Sequence, residues 1–115
     1  VYKLLVPGGV FIVQILHYEW IIQGKIASLP FTETDHVVFT RNYAWRGGEL
    51  HFCTTLTDKK SGEVYNNDIV LLPLLTADLC QMLSEYGFIN LQQYGGYDGS
   101  PLLADSLPSI MICAK

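Results

Sequence analysis

The sequence is poor in charged residues, and it contains no apolar run long enough to cross a membrane. Only 16% of its 115 residues are charged, whereas half are hydrophobic. Ordinary domains carry roughly 25% charged residues, so we expect much of this surface to be covered by other protein. Disordered segments combine low hydrophobicity with high charge, and this composition excludes them. The longest apolar candidate, Val10–Leu16, is far shorter than the roughly 18 residues that indicate a membrane span.

The chain also lacks the charge pattern of a nucleic-acid-binding protein. Its formal net charge is −4, whereas nucleic-acid surfaces need clustered lysine and arginine. No cleavable signal peptide is evident, because Pro7, Gly8 and Gly9 interrupt the first apolar stretch. We therefore predict neither a nucleic-acid partner nor a membrane partner.

Cysteine is scarce, and it occurs in no metal-binding pattern. Cys53, Cys80 and Cys113 are widely separated, with no CxxC pair and no histidine at metal-ligand spacing. An odd, dispersed set of this kind is typical of reduced thiols in a cytoplasmic protein. We expect three small buried hydrophobic side chains and no metal site.

An initiator methionine is absent, and an apolar strand follows almost at once. A helix end, the turn Pro7-Gly8-Gly9 and the run Val10–Leu16 make up the first residues. Such a run, with little alternation, is typical of strands buried on both faces in parallel sheets. An uncovered strand would be a template for pairing with another chain. We therefore expect residues 1–115 to be the C-terminal part of a larger α/β unit, or an α+β structure if isolated.

The middle of the chain has the pattern of an antiparallel meander. Residues 36–46 and 49–57 alternate around Gly47-Gly48, and a further turn leads into 63–72. The predicted register places large apolar residues of all three strands on one face. It pairs Phe39 with Leu56, Tyr43 with Phe52 and Trp45 with Leu50, and it places Tyr65, Ile69 and Leu71 beside Leu56, Phe52 and Leu50. A slip of one residue would destroy this match, so the pattern predicts a three-stranded meander within 36–72.

The remaining elements are read from periodicity and from stop signals. The clearest helix is residues 75–86, with Thr76 as N-cap, Asp78 in the first turn and Gly87 as the stop. The other predictions are a short helix at 19–26, a loop around Pro30 at 28–35, and strands at 88–94 and 109–114.

Together these segments resemble the second half of a class I S-adenosylmethionine-dependent methyltransferase. The resemblance rests on LLVPGGVFIVQIL (4–16), LLPLLTADLCQMLSEYGFINLQQYGGYDGSPL (71–102) and PSIMICAK (108–115). In addition, HYEWII (17–22) is similar to an Asn-Tyr-Asp-Tyr-Ile-Leu stretch of glycine N-methyltransferases. The resemblance implies an α/β fold, the C-terminal part of a Rossmann-like methyltransferase sheet. The first strand would be its fifth, the last strand would run antiparallel to the rest, and the meander would be an insertion.

The same resemblance implies a cofactor and a type of partner. The parent protein would use S-adenosylmethionine and methylate a small molecule. The family's glycine-rich cofactor loop and its acidic ribose-binding residue would belong to an N-terminal half that residues 1–115 do not contain. The fragment alone is therefore expected neither to bind the cofactor nor to transfer methyl groups.

Candidate site residues follow the first strand. Open α/β sheets bind ligands just past the carboxyl ends of their strands, and His17 and Tyr18 stand there. We predict His17 as a catalytic general base and Tyr18 as a substrate-binding residue. The alternative is that His17 is only a polar residue that ends the strand and Tyr18 only a packing aromatic. His17 replaces the asparagine of the glycine enzymes, which puts glycine in doubt as the substrate. Glu19 is interpreted as a solvated carboxylate.

Three further residues are candidates for substrate binding. Arg41 lies on the apolar face of the meander opposite Thr54, where a cation needs a carboxylate partner or a ligand. It would clamp a substrate carboxylate, form an internal ion pair or lie at an exposed end of the sheet. Tyr97 and Asp98 would lie at the entrance to the substrate site. Alternatively, Asp98 would only help to form the tight turn with Gly99.

A rival hypothesis treats the chain as a non-catalytic α+β binding or oligomerisation module. Under either hypothesis we expect a homo-oligomer, formed through the meander or through the first strand. A metal pair of His36 and His51 is not expected, because the register does not make them neighbours.

Overall fold

The computed structural model describes all residues from Val1 to Lys115, and they form two compact units. Unit 1 comprises Val1–Gly24 and Leu74–Lys115, and unit 2 comprises Lys25–Pro73. A 3-10 turn, Tyr2–Leu4, comes first. The strands and helices that follow are β1 (Val10–Leu16), α1 (Tyr18–Gln23), β2 (Ser28–Glu33), β3 (Val37–Arg46), β4 (Glu49–Asp58), β5 (Val64–Leu71), α2 (Thr76–Glu85), β6 (Ile89–Tyr94) and β7 (Pro108–Ala114).

Unit 1 contains a three-stranded sheet in the order β1-β7-β6. The last strand, β7, lies in the middle and pairs antiparallel with both neighbours. Its register with β1 runs without interruption from Val10 opposite Ala114 to Leu16 opposite Pro108. The predicted antiparallel closing strand is confirmed.

One face of this sheet carries the hydrophobic core of unit 1. Leu79 and Leu83 of α2 pack there with Phe88, Met111 and Cys113, as the helical spacing of the leucines requires. The burial of β1 alternates along its length, and Val10 and Ile12 are exposed. The expectation that β1 is buried on both faces is therefore not met in this chain, because α2 and the N-terminal turn cover only one face.

The predicted bounds of α2 are close to those observed, but its cap differs. The helix begins at Thr76, Leu75 is the N-cap, and no side chain caps it from that position. Thr76 as N-cap is wrong, because its hydroxyl lies within hydrogen-bonding distance of side chains of Glu19 and Ser109 instead. The stop at Gly87 is confirmed, since this residue has a φ of +94°, which glycine adopts without strain. The short helix α1 is present over Tyr18–Gln23.

Unit 2 contains a four-stranded antiparallel sheet in the order β2-β3-β4-β5. Strands β3, β4 and β5 form the predicted meander, and every predicted cross-strand pair is confirmed. These pairs are Phe39–Leu56, Tyr43–Phe52, Trp45–Leu50, Leu56–Tyr65, Phe52–Ile69 and Leu50–Leu71.

The loop prediction for residues 28–35 is wrong, because Ser28–Glu33 is a strand at the edge of the meander. Its pairing with β3 is interrupted between Leu29 and Thr32. Proline has no backbone N–H, so strands that contain it are confined to sheet edges and bulges. Pro30 stands at such a place, which is why the sequence around it reads as a loop.

No helix in the structure is both long and apolar enough to cross a membrane.

Candidate functional site

His17 stands at the end of β1 and is held in one orientation. It is buried, with 7% of its surface exposed, and its backbone N–H donates to the carbonyl of Leu107 at 2.8 Å. Its Nδ1 lies 2.9 Å from the carbonyl oxygen of Ser106. A carbonyl oxygen only accepts hydrogen bonds, so Nδ1 carries a proton. In the neutral ring, Nε2 therefore has a free lone pair, which suits it for accepting a proton.

Glu19 is fixed by the first residue of α2. Its Oε1 accepts a hydrogen bond from the backbone N–H of Thr76 at 2.6 Å, and its Oε2 accepts from the Thr76 hydroxyl at 3.3 Å. That hydroxyl also lies 3.1 Å from the hydroxyl of Ser109, and both are buried. The Glu19 side chain is only 23% exposed. The interpretation of Glu19 as a solvated carboxylate is therefore wrong. The carboxylate accepts from a backbone N–H at the start of α2, a group that has no partner within the helix.

His17 and Glu19 share a cavity of about 340 Å³. Nε2 of His17 lies 3.7 Å from Oε2 of Glu19, within ion-pair distance but beyond hydrogen-bond length. The lining residues are His17, Glu19, Trp20, Gln23, Gly24 and Ala104. This lining contains no lysine or arginine. The cavity thus combines a carboxylate, an imidazole and an indole.

Tyr18 is buried and does not line this cavity. Burial raises the pKa of its phenol, so the hydroxyl stays protonated at neutral pH.

Tyr97 and Asp98 lie in the loop between β6 and β7. The Tyr97 hydroxyl donates to Oε1 of Gln14 on β1 at 2.7 Å. Hydrogen bonds from the hydroxyl and the backbone N–H of Ser100 lower the pKa of Asp98. Gly99 has a φ of +80°. In this structure the Asp98 carboxylate is thus engaged in a turn of its own loop.

The two glycines of this loop do not form an open cradle. A Cβ at Gly95 would lie 2.6 Å from both the carbonyl oxygen of Pro101 and Oγ of Ser106. A Cβ at Gly96 would lie equally close to side-chain oxygens of Asp98 and Ser100. The space that these glycines leave is filled by their own loop, so residues 95–101 do not fit a nucleotide cofactor. No group of three or more His, Cys, Asp or Glu side chains could hold a metal ion.

Arg41 belongs to unit 2 and stands opposite Thr54, as predicted. Its Nη2 donates to the carbonyl of Pro30 at 2.9 Å, and its guanidinium lies 6.0 Å from the ring centroid of Phe39. Its Nε is buried without a hydrogen-bond partner. None of the ion pairs in the structure includes Arg41. The internal ion pair that the sequence left open is not formed.

The other face of the meander carries a polar cluster that was not predicted from the sequence. Asp68 accepts hydrogen bonds from Nδ1 of His51 at 2.7 Å and from the Arg46 guanidinium. These contacts, that with His51 first, lower the pKa of Asp68. The predicted register contained the signal, since it places Asp68 opposite Cys53 and therefore diagonal to His51.

Comparison with known proteins gives structural matches only. No protein-family model matches the sequence, and no curated protein matches it. The structure is similar to that of the CcbJ methyltransferase from Streptomyces caelestis, with a TM-score of 0.75 and 18% identity over 96% of this chain and 45% of that one. It is also similar to an S-adenosylmethionine-dependent methyltransferase from Clostridium acetobutylicum ATCC 824, with a TM-score of 0.75 and 12% identity over 97% and 46% of the two chains. The chain thus spans less than half the length of each, and over that part it has a methyltransferase-like α/β fold.

Proposed function

We propose that residues 1–115 are the C-terminal part of an S-adenosylmethionine-dependent methyltransferase that acts on a small molecule. The observation that carries this proposal is the similarity of nearly the whole chain to two methyltransferase structures. The cavity at the end of β1 supports it, because ligands of open α/β sheets bind past the carboxyl ends of strands.

In this proposal His17 is the general base. Its Nδ1–H is committed to the Ser106 carbonyl, and its Nε2 can accept a proton from the methyl acceptor. Tyr18, directly after it, is proposed to bind the substrate outside the His17 cavity, since its buried ring does not line that cavity. Removal of the proton leaves a lone pair on the acceptor atom, which is what methyl transfer from a sulfonium requires.

The other proposed substrate-binding residues are Arg41, Tyr97 and Asp98. Arg41 is the strongest of them, because its guanidinium has a buried, unpaired Nε and no carboxylate partner. A substrate carboxylate would satisfy it with charge-assisted hydrogen bonds. Tyr97 remains largely exposed on its loop and could close over a ligand, whereas Asp98 would act through the shape of its turn.

The proposed cofactor is S-adenosylmethionine, and residues 1–115 do not supply its site. Gly95 and Gly96 are packed against their own loop, and no other glycine-rich turn follows a strand and opens a helix here. We therefore assign the cofactor site to residues of the full-length protein outside this chain. Residues 1–115 alone are expected to be inactive.

Calorimetric titration of S-adenosylhomocysteine into the full-length protein and into residues 1–115 tests this assignment. We expect saturable binding by the full-length protein and none by the shorter chain. Absence of binding by both would overturn the proposal. Binding of S-adenosylhomocysteine by the isolated residues 1–115 would overturn the assignment of the cofactor site.

A second candidate function is that of an oligomerisation module. The observation that favours it is the exposed part of the apolar face of the meander, formed by Trp45, Tyr65 and Ile69. Apolar surface of this kind is typical of sites for association with another protein. Sedimentation velocity at tens of micromolar tests this function, and a monomer throughout would exclude it.

A further inference from the structure

Two hydrogen-bond acceptors face each other in the His17 cavity without a donor between them. Nε2 of His17 carries a lone pair, since the Nδ1 proton is committed to Ser106. Oε2 of Glu19 lies 3.7 Å away. This separation is too long for a direct hydrogen bond. A single group with two or more N–H donors could bond to both atoms at once.

Glu19 cannot turn away from this position without cost. Its two hydrogen bonds to Thr76 hold both oxygens, and Thr76 lies within hydrogen-bonding distance of Ser109. An ionised carboxylate offers about four lone-pair sites, so Oε2 can accept a further donor. The carboxylate is thus preorganised for a ligand.

The rest of the lining also suits a positive charge. Trp20 contributes an indole ring and Gln23 an amide, and no lysine or arginine lines the cavity. Tryptophan is the best aromatic partner for a cation. Glu19 would repel a carboxylate ligand. The hydroxyl group of an alcohol has a single O–H donor, so it cannot bond to both acceptors at once.

We propose that this cavity binds the protonated amino group of an amine, with Glu19 holding the ammonium and His17 Nε2 receiving one of its protons. The N–H bond breaks, its electron pair stays on the amine nitrogen, and the imidazole becomes an imidazolium beside Glu19. The neutral amine then has the lone pair that a methyl acceptor needs. This assignment rests on the proposed function only in naming the amine as the methyl acceptor.

The test is an NMR titration of the full-length protein with three probes of nearly equal shape, namely benzylammonium, benzyl alcohol and benzoate. The reporter is the indole N–H signal of Trp20, assigned by its loss in Trp20→Phe. Trp45, which does not line the cavity, serves as an internal reference. We expect saturable shifts of Trp20 with benzylammonium, a much weaker response to benzyl alcohol and none to benzoate.

A pair of variants separates charge recognition from folding. Glu19→Gln keeps an acceptor for the Thr76 N–H and removes the charge, and it should weaken benzylammonium binding about tenfold or more. Glu85→Gln changes an exposed residue of α2 outside the cavity, and it should leave the affinity for benzylammonium unchanged. Equal responses to all three probes, no response to benzylammonium, or unchanged affinity in Glu19→Gln would overturn the assignment.

The outcomes also distinguish this inference from the proposed function. If benzylammonium binds through Glu19 but S-adenosylhomocysteine does not bind, the amine site stands and the methyltransferase proposal fails. If S-adenosylhomocysteine binds and the Trp20 signal does not shift with benzylammonium, only the proposed amine site is overturned.

Discussion

The backbone N–H of Thr76 donates a hydrogen bond to Oε1 of Glu19, a residue 57 positions earlier in the sequence. A carboxylate from α1 thereby satisfies a donor at the start of α2. Negative charge is favourable at that end of a helix, because the peptide dipoles leave it partly positive. The same carboxylate lies beside His17. One side chain therefore joins the stability of α2 to the candidate site.

The first prediction is that Glu19→Ala destabilises the chain. The change leaves the buried Thr76 N–H without its acceptor, and loss of such a cap costs about 1 to 2 kcal/mol. Urea unfolding measures the free energy, and Glu85→Ala is the matched control, since its contact with Gln81 is exposed. Equal free energies of unfolding for the two variants would contradict a capping role.

The second prediction is that His17→Gln lowers the rate of methyl transfer by the full-length protein. Loss of a general base costs about 100-fold or more in kcat. The measurement is the release of S-adenosylhomocysteine with an amine acceptor, and His36→Gln, in an exposed turn of unit 2, is the control. An unchanged kcat in His17→Gln would exclude this residue as the base.

The third prediction concerns acid stability. Hydrogen bonds from His51, and then from Arg46, lower the pKa of Asp68 in the folded chain. A carboxyl whose folded pKa lies below its unfolded value stabilises the fold above the unfolded pKa, about 3.9. This contribution is lost as the pH falls through that value toward the folded pKa.

Asp68→Asn should therefore flatten the decline of unfolding free energy with falling pH over this acidic range. Asp35→Asn, at an exposed residue outside every ion pair, is the comparison. The same acid slope in Asp68→Asn and in the unchanged protein would show that the His51 contact does not contribute.

The fourth prediction tests self-association with two neighbouring residues of β5. Ile69 is 45% exposed on the apolar face, and Val70 is 55% exposed on the opposite face, which also carries His51 and Asp68. If the apolar face mediates oligomers, Ile69→Lys should shift sedimentation toward the monomer, whereas Val70→Lys should not. Equal effects of the two substitutions would exclude this face as the specific contact.

The meander could be predicted in register because its signal is local and repeated. The turn at Gly47-Gly48 and the apolar alternation agree over many residue pairs, and only one register satisfies both. Strand β2 could not be found in this way, since Pro30 interrupts its pattern and the pairing slips there. Such an edge strand is defined by its neighbour, β3, more than by its own sequence.

The sequence indicated where along the chain the candidate residue His17 lies, but it did not indicate the contacts that hold His17 and Glu19. The end of the apolar run Val10–Leu16 identified His17 as a candidate, because ligand sites of open sheets occur past strand ends. The orientation of its ring depends on a carbonyl of Ser106, far away in the sequence. The role of Glu19 likewise depends on Thr76. A long-range partner of this kind leaves no periodic signal.

The central position of β7 has a consequence for synthesis. Both β1 and β6 pair only with β7 in this chain, and β7 follows both of them in the sequence. Until Pro108–Ala114 has been made, β1 and β6 lack the central strand that joins them. Unit 2 is complete much earlier, at Pro73. The meander can thus fold during translation before the strand that positions His17 acquires its partner β7.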